Sequence, residues 1–100
     1  MGTWDVEVLG EQAAFYFQRK HPKARKPLAR FLKLVRDSAW MNLIDLKETF
    51  ASADYVPASG MIVFNIGGNK YRLTATVNFE RQRFLIDTVM THEEYNRKEL

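Results

Sequence analysis

Arg72, His92 and Tyr95 are the residues of this 100-residue chain whose types and placement could do chemistry together. Arg72 stands among uncharged neighbours in YRLTATVN. A guanidinium there suits fixed, bidentate hydrogen bonding to a phosphate. The same group could stabilise charge developing on the equatorial oxygens during phosphodiester cleavage. The pattern allows a second reading equally well, in which Arg72 pairs across strands with Asp87 or Glu80. His92 is the imidazole of this half of the chain, and imidazoles ordinarily titrate near neutrality, which makes it the natural proton donor or acceptor. A histidine in the first turn of a helix can also be plain surface. Tyr95, three residues on, could stack on a base or pack at the core boundary. Lys70 adds a mobile cation beside Gly67-Gly68-Asn69, whose glycines read as hairpin geometry rather than a phosphate cradle.

Other chemistries find little support. There is no cysteine, and His21 and His92 are too isolated for zinc-ligand spacing, so neither a metal nor another cofactor is expected. No serine or cysteine nucleophile motif, paired-carboxylate constellation or Walker-type loop is present. If RNA is cut here without metal, the attacking group is the substrate's own 2′-hydroxyl. The protein then supplies orientation, charge stabilisation and proton transfer.

The elements that must position these residues lie mostly in the last third, Met61 to Tyr95. Three apolar, β-branched and aromatic runs separated by GGN and a short charged turn spell an antiparallel three-stranded meander. In its middle strand Tyr71, Leu73, Ala75, Val77 and Phe79 share one face, and Lys70, Arg72, Thr74, Thr76 and Asn78 the other. In the third strand Phe84, Ile86, Thr88 and Met90 fall on one side, and Leu85 and Val89 flank Asp87 on the other, as in a central strand buried on both sides. Thr91 and Glu94 form a capping box that starts a short helix at His92. Upstream, Thr3 to Leu9 alternates as a strand and Glu11 to His21 reads as a helix ended by Pro22. Lys23 to Ala39 is a second helix with Leu28, Phe31, Leu32 and Val35 inward, kinked at Pro27 or starting near it. Asn42 to Phe50 suits a short helical turn, and Ser52 to Gly60 is loop chemistry. The expected fold is α+β in two layers within a single domain, 1–100, with the first strand joining the meander as an edge.

The net charge of +3 hides an uneven distribution, because no acid lies between Glu11 and Asp37 while that segment holds Lys26, Arg30, Lys33 and five further cations. Such a block attracts polyanions through counterion release, although a basic helix face is often only solvated surface. No apolar run is long enough to span a bilayer, and Asp5, Glu7 and Glu11 stand where a signal peptide would be basic and then apolar. A cytoplasmic protein without a membrane partner is expected.

Asn65, Gly67, Gly68, Asn69, Arg72, Met90, Thr91, His92 and Tyr95 together resemble the pattern of the HigB family of bacterial type II toxins, relatives of the RelE fold. The match covers about a third of the chain. It implies a RelE-like fold and an endoribonuclease that cleaves messenger RNA on the translating ribosome. It also implies a helix-turn-helix, HigA-like antitoxin that holds the enzyme inactive. Carried over by position, Arg72 becomes the phosphate and transition-state contact, His92 the general acid or base, Tyr95 a supporting contact, and Asn65 and Lys70 RNA contacts. No second imidazole or carboxylate base can be placed beside His92. Two other readings compete: a noncatalytic RNA- or ribosome-binding module that uses Lys26, Arg30 and Lys33, and a protein-binding subunit that captures a partner along an edge strand.

Overall fold

The structure is a computed structural model that describes residues 6–97. Its centre is the meander of β3 (Met61–Ile66), β4 (Tyr71–Asn78) and β5 (Arg83–Thr91), with all neighbours antiparallel. β1 (Glu7–Leu9) adds to the outer edge of β5 in parallel, and β2 (Asp54–Val56) pairs antiparallel with β3 at the opposite edge. The resulting sheet has the order β1-β5-β4-β3-β2. Residues Thr3 to Asp5 of the expected first strand lie outside the described residues.

Helices α1 (Gln12–Lys20) and α2 (Arg25–Arg36) cover one face. A single 3-10 turn, Pro22–Ala24, separates them. That turn delays the start of α2, so Pro27 falls in its first turn, where backbone N–H groups have no helical partner anyway. The α2 stripe of Leu28, Phe31, Leu32 and Val35 is buried. Phe31 meets Phe64 of β3 at 5.3 Å and Phe84 of β5 at 6.0 Å between ring centroids. Helix α3 (Leu43–Thr49) is capped by Asn42, whose Oδ1 accepts from Asp45 N at 3.0 Å, and it buries Leu46.

Two details differ from the sequence reading. The segment Ser52 to Gly60 contains strand β2, not only loop. Three residues bounded by Pro57 are too short to show an alternation, and pairing with β3 decides their state. The second difference is a β-bulge. Thr74 pairs with Thr88 while Ala75 pairs with Ile86, which leaves Asp87 as an extra residue in β5. Alternation therefore resets at Asp87. Phe84, Ile86 and Val89 all join the helix-side core, whereas Met90 moves opposite Arg72. β5 is central, but its first half is buried on one side only, since Leu85 is 48% exposed.

Gly10 links β1 to α1 with φ +79°, and a Cβ there would stand 2.6 Å from the main-chain oxygen of Ile86. Gly60, at φ +73°, has open space around it. Gly10→Ala should therefore cost both the left-handed conformation and a backbone displacement, about 3 kcal/mol or more, against about 1 kcal/mol for Gly60→Ala. Urea unfolding midpoints of the two variants measure the difference.

Candidate active site

Arg72 is only 8% exposed. Its side chain leaves β4 on the face opposite Tyr71 and Leu73, so it lies on the far side of the sheet from α1 and α2. Nη2 donates to Asn69 Oδ1 at 2.7 Å and to His92 Nδ1 at 2.8 Å. Nη1 donates to the main-chain oxygens of Tyr71 at 3.1 Å and Asn69 at 3.3 Å. All four acceptors are neutral. Among the described residues no carboxylate forms an ion pair with Arg72; Asp87 instead accepts from Thr88 Oγ1 at 2.9 Å and from Thr74 Oγ1 at 3.4 Å. The cross-strand pairing of Arg72 with Asp87 or Glu80 does not form. A guanidinium that is largely desolvated and lacks an anionic partner is a strong attractor for an anion that can reach it.

The contact with His92 settles that ring's tautomer. A guanidinium carries donors only, so Nδ1 must accept, and the ring proton resides on Nε2. α4 (His92–Arg97) delivers the imidazole. Its start is defined by the reciprocal capping box, in which Glu94 N donates to Thr91 Oγ1 at 3.1 Å and Thr91 N to Glu94 Oε1 at 2.8 Å. His92 N also donates to Lys70 O at 2.9 Å, tying α4 to the β3–β4 turn through main chain as well as through Arg72. Tyr95, on the next turn of α4, presents its ring to the guanidinium with Cζ 5.7 Å from the centroid. Asn65 is the register partner of Arg72 on β3 and is exposed.

Asn65, Lys70, Arg72, His92 and Tyr95 are thus brought together at one end of the open sheet face. Lys26, Arg30 and Lys33 are not. They are exposed on α2 and make no contact with Arg72, and Lys33 Nζ donates to Asp37 Oδ2 at 2.8 Å. Asn69 was missed as a site residue: its side chain supplies the shortest bond to Arg72. The signal was its place in the Gly-Gly-Asn turn, three residues before the arginine. Among the described residues no three His, Asp or Glu side chains converge as metal ligands, and no helix is long and apolar enough to cross a membrane.

A family model described as HigB toxin, the RelE-like toxic component of a toxin-antitoxin system, matches residues 24–98. The chain belongs to the HigB toxin family. It is 35% identical over 92 residues to the mRNA interferase toxin HigB of Escherichia coli K12, covering 91% of this chain and 88% of that relative. The mRNA interferase HigB of Shigella flexneri gives the same identity and coverage. A HigB from Escherichia coli O6:H1 is 24% identical over 80 residues, or 79% of this chain and 78% of its own. The α+β architecture with its five-stranded sheet and short C-terminal helix accords with the RelE-like fold of this family.

Two measurements check this geometry. Nitrogen shifts of the His92 ring in the free HigB-family protein should report a bare Nδ1 and a protonated Nε2, and Arg72→Ala should release that preference. The second concerns Glu94, whose carboxyl is held below the usual range, first by the Thr91 backbone N–H and further by the Thr91 hydroxyl and the charges of His21 and Arg97. A carboxyl lowered by folding stabilises α4 above its unfolded pKa and loses that contribution as pH falls through the folded value. Amide protection at His92 to Tyr95 should therefore drop as pH falls through and below the ordinary glutamate range, and Glu94→Gln should flatten that dependence.

Proposed function

We propose that this protein is the toxin of a type II toxin-antitoxin pair and a metal-independent endoribonuclease that cleaves mRNA on the ribosome in the cytoplasm. A HigA-like helix-turn-helix antitoxin would be the partner that holds it inactive. The observation that carries this reading is the buried, unneutralised Arg72 guanidinium hydrogen-bonded to the imidazole of His92, taken with the mRNA interferase activity of the HigB relatives.

The geometry suggests an order of events. In the free protein Arg72 occupies His92 Nδ1. A phosphodiester entering beside Asn65 and Lys70 competes for Nη2, because an ionised oxygen makes a stronger acceptor than a neutral ring nitrogen. When Nη2 turns to the phosphate, Nδ1 is freed. It then takes the proton from the 2′-hydroxyl as the 2′-oxygen attacks phosphorus. The bond from phosphorus to the 5′-oxygen breaks, and the imidazolium Nε2–H returns a proton to that leaving oxygen. The products are a 2′,3′-cyclic phosphate and a 5′-hydroxyl. Arg72 stabilises the charge on the equatorial oxygens throughout, and Tyr95 keeps the guanidinium and the adjacent base in place. The cations of α2 act from a distance, by drawing the polyanion toward the protein.

Purified wild type, stripped of metal by chelator and dialysed before use, should cleave mRNA in a translating extract. Arg72→Ala and His92→Gln should each lose roughly 100-fold or more while remaining cooperatively folded. Arg72→Lys should not restore the rate, since lysine lacks the planar fork that spans phosphate and imidazole. Folded variants that still cleave at the wild-type rate would remove these residues from the mechanism. Charge reversal at Lys26, Arg30 and Lys33 should flatten the salt dependence of RNA binding and leave the cleavage step at saturating RNA unchanged.

A further inference from the structure

The β1 pairing with β5 ends at Leu9 opposite Leu85. Beyond that point α1 takes the place of a strand along this edge of β5, and the two do not close against each other. A cleft of about 360 Å³ runs between them, lined by Tyr16 and Lys20 of α1, His21 just after it, Asp87 and Thr88 at the bulge, and Glu94 of α4. Its floor is the apolar pair Phe17 and Val89. The volume lies in the range of ordinary small-ligand sites.

The chemistry of the walls is specific. Tyr16 is 66% exposed and offers a free aromatic face, while Lys20 supplies a cation at the mouth. His21 is held flat on Phe17, with ring centroids 4.4 Å apart. Asp87 is turned outward by the bulge, and its Oδ2 is fixed by Thr88 and Thr74, while Oδ1 has no hydrogen-bond donor among the described residues. The main-chain edge of β5 here has no strand on it among the described residues, so its donors and acceptors also face the cleft. An aromatic face, a cation, a fixed carboxylate and a strand edge are the elements that recognise an unstacked base of single-stranded RNA. The cleft and the candidate active site share α4, since Glu94 lines the one and His92, two residues earlier, belongs to the other.

Building on the ribonuclease reading above, we propose that this cleft is a nucleotide subsite. It takes one unpaired base flanking the scissile phosphate, stacked on Tyr16, with a backbone phosphate at Lys20 and an amino-bearing edge donating to Asp87. Guanine, adenine and cytosine carry an exocyclic amino group and uracil does not, so the subsite selects against uracil at this position.

The test uses the His92→Gln protein, which binds without cutting in the ribonuclease reading, and short oligoribonucleotides of fixed sequence that differ at one base. Anisotropy titrations should show weaker binding when uracil occupies the position. Tyr16→Ala and Lys20→Ala, both at exposed helix positions, should each reduce affinity roughly tenfold. Asp87→Asn should erase the discrimination against uracil more than it reduces affinity. Amide shifts on RNA addition should map to α1 and to residues 87–89. Oligonucleotide binding that is unchanged in Tyr16→Ala, with no shifts along α1, would overturn the subsite. So would variants that bind RNA normally but lose the antitoxin, which would make the cleft a protein interface. RNA that occupies the cleft of a wild-type protein unable to cut would instead overturn the ribonuclease reading and leave the subsite standing.

Discussion

Burying Arg72 to 8% exposure is the constraint on which the functional end of this molecule depends. A charged group removed from water needs partners for its donors, and a carboxylate would satisfy them while cancelling the charge. Here the partners are two carbonyls, an amide and an imidazole. The four Nη donors are satisfied and the charge survives. The same set of bonds joins three pieces of chain, since Asn69 belongs to the β3–β4 turn, Arg72 to β4 and His92 to α4. A helix of six residues could not hold its orientation on propensity alone. The capping box, the bond from His92 N to Lys70 O and the arginine together fix it.

The bulge at Asp87 organises the other side of the same region. By inserting one residue into β5 it sends Val89 into the helix-side core and Met90 to the face of Arg72. It also turns a carboxylate outward at the point where β1 has ended. Without the extra residue, strict alternation would place Val89 on the open face and Met90 among the helices. One local irregularity therefore sets the composition of the core, the packing around Arg72 and the walls of the α1–β5 cleft.

The helical layer is tied to the sheet by aromatic contact, with Phe31, Phe50, Phe64 and Phe84 meeting in edge and tilted arrangements. Trp40 is clamped in a different way. Gln82, at φ 53°, donates from Nε2 to Trp40 O at 2.6 Å and accepts from Trp40 N at 3.1 Å. The turn between β4 and β5 thereby fastens the segment between α2 and α3. The basic residues of α2 remain outside this packing, and their distance from Arg72 follows from the two-layer architecture. A helix that packs on one face of a sheet presents its polar side away from anything on the other face.

The sequence by itself determined the meander, the α2 stripe, the faces of β4 and the capping box. Each of these is written in period-2 or period-3.6 alternation or in a fixed local spacing. It also contained the pairing of Arg72 with His92 as a possibility, because both lie on or next to the same sheet. Tertiary structure decided the rest. Strand β2 exists because β3 offers it an edge, and three residues carry no period. The bulge at Asp87 is a matter of register between two strands, which neither strand's own pattern records. Asn69 rather than Asp87 became the partner of Arg72 because the turn folds back over the guanidinium while the bulge carries the carboxylate to Thr74 and Thr88. Lys26, Arg30 and Lys33, which charge alone would have gathered with the imidazole, ended on the helical layer because the apolar stripe of α2 had to face the core.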